Sequence, residues 1–273
     1  MTAAMDSSEA RRHHFEVEKE LATRLRNSTR EERKGLAAEL YSELYRRVPN
    51  HPRVARSKEK DAEERSIAAQ LRLVRHALAP EVRFLEFGAG TGTFSKHVAP
   101  KVKEAIALEV CAQGSAADKA PANYRMQMHD GLVIPLPDGG IDVAFSYQVL
   151  EHLHPDDVEL HFQEIARVLK PGGTYILSTP HALSGPHDVS RYFSEKLETF
   201  HLKEWTYGEM APLMRRCGFT RIQPFLRGKT GPAYRLLLPG FRVIERALCM
   251  MPASLRTRVA RKFLNNVVVC AFK

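Results

Sequence analysis

The sequence predicts an α/β fold, a doubly wound sheet with helices on both faces. Two observations carry this. From residue 82 onward, short apolar runs alternate with helical segments, the pattern of parallel strands joined by crossover helices. The run LEFGAGTG (85–92) then places a glycine-rich turn between the first such strand and a helix. At 273 residues, 44% hydrophobic and 27% charged, the chain can bury a full core and is neither disordered nor fibrous in composition.

The first 80 residues read as helical. In STREERKGLAAELYSELYRRV, both Ser28/Glu31 and Thr29/Glu32 have capping-box spacing. Leu36, Leu40, Leu44 and Val48 follow on one face, with Tyr41 and Tyr45 beside them, until Pro-Asn-His-Pro (49–52) stops the helix. A second helix is expected from about Asp61 to Leu78, its stripe formed by Ile67, Leu71, Val74 and Leu78. Residues 1–79 are therefore expected to form a helical extension that packs on, or lids, residues 80–273. Strands are expected at 83–87, 104–110, 124–129, 141–146 and 174–180, with helices near 92–99, 156–169 and 206–217.

Composition narrows the setting. Cys111, Cys217, Cys249 and Cys270 lie far apart without a C-x-x-C pair, which argues against a disulfide framework or cysteine zinc site and favours a reducing cytoplasm. No apolar run reaches the ~18 residues of a membrane span, and the first 20 residues lack the apolar core of a secretory signal. Net charge is +9, and residues 201–273 alone carry 14 Lys+Arg against 3 Asp+Glu. That basic stretch fits an anionic surface, an anionic substrate, or simple solvation.

The glycines of the turn, Gly88, Gly90 and Gly92, follow G-x-G-x-G spacing. Glycine there allows a tight turn and a close ligand approach. The dinucleotide fingerprint G-x-G-x-x-G would need glycine at position 93, which is Thr93. Glu109 ends the second strand, where a carboxylate can accept both ribose hydroxyls. Asp130 ends the third strand, where a carboxylate suits an adenine amine. The two acids point to an adenosyl ligand.

Five segments in order, EFGAGTG, the acidic end of strand two, HDGLVIPLPDGGIDV, QVLEHL (148–153) and RVLKPGGT (167–174), resemble the class I S-adenosylmethionine-dependent methyltransferases. They are most similar to the branch of quinone-biosynthesis and other small-molecule enzymes. The resemblance covers about residues 80–225 and the final strand, and it implies a Rossmann-like seven-stranded sheet with S-adenosylmethionine as cofactor. It places Glu86 and the backbone of Gly88 and Gly90 at the methionine portion, counts Ala89 and Gly92 among the cofactor-binding residues, and puts Glu109 at the ribose with Val110 nearby. Asp130, Gly131 and Leu132 would meet the adenine. Ser146, Tyr147 and Gln148 would line the cleft, and Lys170-Pro-Gly-Gly would form a structural turn. The final strand, in 265–273, would be antiparallel, following a sixth in 218–225.

A hydroxyl acceptor needs a base, and histidine suits that role near neutral pH. His152, beside Glu151 after strand four, is the expected catalytic residue; His181, His187 and His201 are expected on the substrate side. His13 and His14 are expected at the surface. A metal at His152 and His154 is not expected, because no third ligand lies at useful spacing. The sequence also departs from a minimal family member through a helical insertion, 226–264. There Phe241, Ile244, Leu248 and Met251, then Leu255, Val259 and Phe263, keep helical spacing among arginines. Such basic amphipathic helices fit an anionic membrane face or an amphiphilic acceptor.

The resulting expectation is O-methylation of a small-molecule or lipid-like acceptor by a cytoplasmic enzyme, with peripheral membrane contact through 226–264. The alternatives are an RNA methyltransferase and an NAD(P)-dependent oxidoreductase. Nucleic acid is disfavoured because the basic tail lacks interleaved aromatics.

Overall fold

The computed structural model describes residues 7–51, 60–111, 120–225 and 237–273. Seven strands, β1 (Arg83–Phe87), β2 (Glu104–Glu109), β3 (Tyr124–Met128), β4 (Ile141–Tyr147), β5 (Leu169–Pro180), β6 (Arg221–Pro224) and β7 (Asn266–Phe272), pair in the order β3-β2-β1-β4-β5-β7-β6. The first five run parallel, and β7 is antiparallel to both β5 and β6. Burial on consecutive residues of β1 and β2 explains why these strands read as continuous apolar runs rather than alternating ones. The strand order reverses between β1 and β4, and there the carboxyl ends open a crevice.

Helices α3 (Lys60–Val74) and α4 (Thr93–Val98) cover one face, where Val74, Phe94 and Val98 meet Phe84 and Phe145. The stripe of Ile67, Leu71, Val74 and Leu78 packs into this layer as its spacing predicts, although the α-helix ends at Val74. On the other face, Phe162 and Ile165 of α5 (Val158–Val168) and Met210 and Met214 of α6 (Tyr207–Arg216) pack on Leu85, Ile106 and Leu177. Lys170-Pro-Gly-Gly lies inside β5 as a bulge, because the register with β4 jumps from Ile141–Leu169 to Val143–Thr174.

The amino-terminal helices α1 (Ser7–Arg26) and α2 (Arg30–Arg47) form a third apolar cluster. Leu40, Leu44 and Val48 pack there with Val17, Leu21 and Leu25, and Phe200 and Leu202 from the connection after β5 complete it. Of the two capping boxes the sequence offers, Thr29 and Glu32 form the real one, while the Ser28 hydroxyl bonds the Leu25 carbonyl. One feature departs from a straight helix. Gly35 takes a left-handed φ of 79°, which kinks α2 and turns its N–H to the Asp130 carbonyl, 3.0 Å away.

The insertion forms α7 (Leu237–Cys249) and α8 (Ala253–Phe263), while 226–236 lie outside the described residues. Its stripe differs from the spacing-based expectation. Phe241 and Leu248 face inward, but so does Glu245, and Ile244 is exposed. The Glu245 carboxylate accepts the backbone N–H groups of Tyr207 and Gly208 at the start of α6, at 2.6 and 2.8 Å. A helix amino terminus is a favourable place for a buried carboxylate, and this rotates Ile244 into solvent. In α8, Ala260 is buried and Val259 packs against the core, whereas Leu255 and Phe263 are exposed.

Candidate cofactor and acceptor site

The turn after β1 takes its shape from three left-handed glycines, Gly88, Gly90 and Gly92, with φ of 74°, 58° and 71°. A Cβ on Gly88 would stand 2.5 Å from a Val149 methyl, so both conformation and space exclude a larger residue. The amides of Gly88 and Ala89 donate to the Leu108 carbonyl at 2.9 and 3.0 Å, which ties the turn to the end of β2. At that end the Glu109 carboxylate accepts Gly90 N–H at 2.6 Å and Val110 N–H at 2.8 Å. Carboxylate oxygens have further lone pairs for a ligand.

Glu86 lies beneath the turn, buried, and accepts the Ser95 hydroxyl. Burial pushes its carboxyl up to about 7, with the nearby Glu109 charge adding to the rise and the Ser95 hydrogen bonds opposing it. Asp130 caps its own turn, accepting Leu132 and Val133 N–H groups through Oδ1, both at 2.9 Å. His129, which the sequence did not single out, receives Gly131 N–H on Nδ1 at 3.1 Å. Its Nε2 therefore carries the hydrogen, and this buried donor has no partner among the described residues. Burial lowers the His129 pKa to about 4, so the ring is a neutral donor.

Some of these groups border one cavity of about 740 Å³ of unfilled space, open to solvent, whereas Glu86, Ala89, Gly90, Gly92 and Asp130 are not among its lining residues. Gly88, Glu109, Val110, Gly131 and Leu132 line one end of it, and Gln148, His152 and His154 line the other. Leu25, Arg33, Ala37 and Tyr41 close it from the amino-terminal helices. Arg33 is buried and bridges to Asp157 through two hydrogen bonds of 2.5 and 3.0 Å. The helical extension therefore forms a wall of the site. No local motif announces it, since Arg33 and Asp157 are 124 residues apart.

Not every expected residue reaches the cavity. Ser146 points into the core, where its hydroxyl bonds Tyr175 at 2.7 Å, and Tyr147 packs with Phe145 on the face covered by α3. Gln148, the next residue, lines the cleft with an unusual φ of 56°. His181 is fully buried at 0% exposure and bonds Glu245 at 2.9 Å, so it presents nothing to an acceptor. His187 and His201 both bond Glu204, at 3.0 and 2.9 Å, and neither lines the cavity. His14, expected at the surface, is buried against Glu18.

His152 does line the cavity, and its ring stands edge-on to Tyr41 and His201. Its Nδ1 lies 3.0 Å from the Phe200 carbonyl. A carbonyl only accepts, so Nδ1 carries the hydrogen and Nε2 is the basic nitrogen.

Residues 85–177, from β1 through most of β5, match the family described as Methyltransferase domain. A probable S-adenosylmethionine-dependent methyltransferase of Mycolicibacterium smegmatis is 31% identical over 137 residues, covering 50% of this chain and 51% of that one. Residues 85–177 thus form a methyltransferase domain, and over about half its length the chain is similar to S-adenosylmethionine-dependent methyltransferases. Its cofactor is accordingly S-adenosylmethionine, which replaces the NAD(P) alternative. A malonyl-[acyl-carrier protein] O-methyltransferase of Serratia marcescens is 32% identical over 102 residues, 37% of this chain and 39% of that one. Among solved structures, the 1,6-didemethyltoxoflavin-N1-methyltransferase of Burkholderia thailandensis shares the fold, with a TM-score of 0.57, 18% identity, and coverage of 90% of this chain and 91% of that one. The matched stretch spans about half the length of the first curated relative. Among the described residues, no helix is long and apolar enough to cross a membrane.

Proposed function

We propose that this methyltransferase transfers a methyl group to oxygen on a small-molecule or lipid-like acceptor held between the glycine turn and His152. The observation that supports this is the shared cavity, with Gly88 and Glu109 at one end and His152 at the other. A relative named for O-methylation of a malonyl thioester carrier is consistent with an oxygen acceptor.

The residues present fit the cofactor. Gly88 and Glu109 line the cavity, and His129 offers an unpartnered donor at its wall. Glu109 would accept the ribose hydroxyls, with Val110 beside it. Gly88, Ala89, Gly90 and Gly92 would hold the methionine portion above Glu86. Asp130, Gly131, Leu132 and His129 would face the adenine. Bound there, S-adenosylmethionine would supply an activated methyl on its sulfonium, and His152 Nε2 would take the proton of the acceptor hydroxyl. The protein's own contribution is orientation and exclusion of water. Tyr41 and the Arg33–Asp157 pair close the cavity, and His152 stands on the acceptor wall with its Nε2 lone pair set by the Phe200 bond.

Labelled methyl transfer to hydroxylated and carboxylated amphiphiles tests this reading. His152→Asn should lower kcat at least 100-fold while cofactor affinity stays within about twofold. Equal loss of both would remove His152 from the acceptor side.

Glu86 gives the cofactor step a pH dependence. A cationic ligand above it favours the ionised carboxyl and so lowers a folded-state pKa of about 7. Affinity should therefore be full above that value and weaken as pH falls through it. Calorimetry at pH 6 and 8 should show this difference, and Glu86→Gln should flatten it. A flat profile for the unaltered protein would place the cation elsewhere.

The exposed Val243, Ile244, Leu255 and Phe263 lie on α7 and α8 with exposed Arg246, Arg258 and Lys262. This surface supports peripheral contact with an anionic membrane. Sedimentation with phosphatidylglycerol vesicles, but not with phosphatidylcholine ones, is expected. Changing Val243 and Phe263 to Asp should abolish it, and indifference to lipid charge would count against the contact.

A further inference from the structure

We infer that Gln148 is a specificity-determining residue whose amide oxygen favours the charged sulfonium of S-adenosylmethionine over the uncharged sulfur of S-adenosylhomocysteine. The inference rests on the cofactor position proposed above and adds a residue that reads the cofactor's charge.

The backbone gives the first indication. Among the described residues, Gln148 is the one non-glycine residue with a positive φ, 56°. That conformation is costly for a residue with a Cβ, whereas glycine adopts it freely. Strain of this kind collects at binding and catalytic sites, where the surrounding structure holds it in place. Here the Gln148 N–H donates to the Ser178 carbonyl at 2.8 Å, which fixes the residue just past the carboxyl end of β4.

The side chain gives the second. Its amide nitrogen donates to Ser178 Oγ at 3.2 Å and to Asn266 Oδ1 at 3.4 Å. Ser178 belongs to β5 and Asn266 to β7, so both partners lie on the side of β4 away from β1 and the glycine turn. A primary amide has two N–H donors and one accepting oxygen. With the nitrogen turned to β5 and β7, Oε1 is left to accept from a ligand, and Gln148 lines the cavity.

Position gives the third. The next residue, Val149, packs so closely on the glycine turn that a Cβ at Gly88 would stand 2.5 Å from its methyl, and His152 follows on the acceptor wall. Gln148 therefore stands between the methionine portion of the proposed cofactor site and the acceptor wall. The charged groups that line the cavity lie elsewhere. Glu109 is at the end of β2, and Asp157 is engaged by the buried Arg33 at 2.5 and 3.0 Å. An amide oxygen carries partial negative charge, and the polarised hydrogens of a methyl on sulfonium are C–H donors to such an atom. The thioether has neither the charge nor that methyl, so Oε1 offers it nothing.

Calorimetry of the full-length protein with S-adenosylmethionine and S-adenosylhomocysteine, read as the ratio of their affinities, tests this without turnover. Gln148→Leu keeps the size of the side chain and removes its dipole. It should weaken S-adenosylmethionine about fivefold while S-adenosylhomocysteine stays within about twofold. Gln148→Gly, which also relieves the backbone, should show the same change in ratio with a Tm no lower than that of Gln148→Leu. Gln148→Glu puts a full charge in place of the dipole and should move the ratio the other way, most at low salt. An equal loss of both ligands in Gln148→Leu and Gln148→Gly would make the residue merely structural and overturn the inference. So would a ratio that none of the three variants changes. Failure of the cofactor reading itself looks different, because the unaltered protein would then bind neither compound, and both conclusions would fall.

Discussion

Glu109→Ala should weaken S-adenosylmethionine binding at least 100-fold, the largest effect expected of any single substitution at the cofactor end. The carboxylate would accept two ribose hydroxyls, and hydrogen bonds to a charged group contribute about 1.5–3 kcal/mol each. Alanine also frees the amides of Gly90 and Val110, which now donate to Glu109 at 2.6 and 2.8 Å. The turn therefore loses its fastening as well as its ligand contact. Glu109→Gln retains one accepting oxygen and should fall between alanine and the unaltered protein. Calorimetry reads both, with thermal unfolding to show that the sheet persists. Unchanged affinity in Glu109→Ala would move the ribose away from β2.

Asp157→Ala should have the largest effect on stability. Its carboxylate meets the buried Arg33 through two bonds and Arg30 through a third, at 2.8 Å. Arg30 and Arg33 together hold it well below the usual carboxylate range against the opposing effect of burial. Removing one partner of a buried pair costs about 3–5 kcal/mol, because the remaining charge is left in the interior. For a chain of this size that is roughly a 6–20 °C fall in Tm. Arg33 also lines the cavity, so cofactor affinity should drop alongside stability. A double variant, Arg33→Met with Asp157→Leu, should recover most of the stability, since the isolated charge is gone. If Asp157→Ala left both Tm and affinity unchanged, α2 would not be part of the site.

The contrast between Glu109 and Arg33 shows what could be read from the residues. The glycine turn and the position of Glu109 at the end of β2 were legible because their constraints are local: a left-handed turn needs glycine, and the apolar run of a buried strand ends at the carboxylate. The stripe of Leu36, Leu40 and Leu44 showed α2, but not the bend at Gly35, whose amide leaves the helix for a carbonyl 95 residues away, that of Asp130. Arg33 and Tyr41 join the site only through tertiary packing, and nothing near them in the chain marks them. Ser146 and Tyr147 were misplaced for the opposite reason. Both lie within β4 and pack into the two core layers, and Gln148, the first residue past the strand, is the one that reaches the cleft. In α7 the apolar period suggested Ile244 as a core residue, and the pull of the α6 amino terminus on Glu245 reversed it.

Calorimetry of the full chain with S-adenosylmethionine, S-adenosylhomocysteine and NADH in parallel tests the central claim most directly. Saturable binding of the two sulfur compounds, no binding of NADH, and loss of both signals in Glu109→Ala is the predicted result. A folded protein that binds neither sulfur compound, or binds NADH in their place, would contradict it.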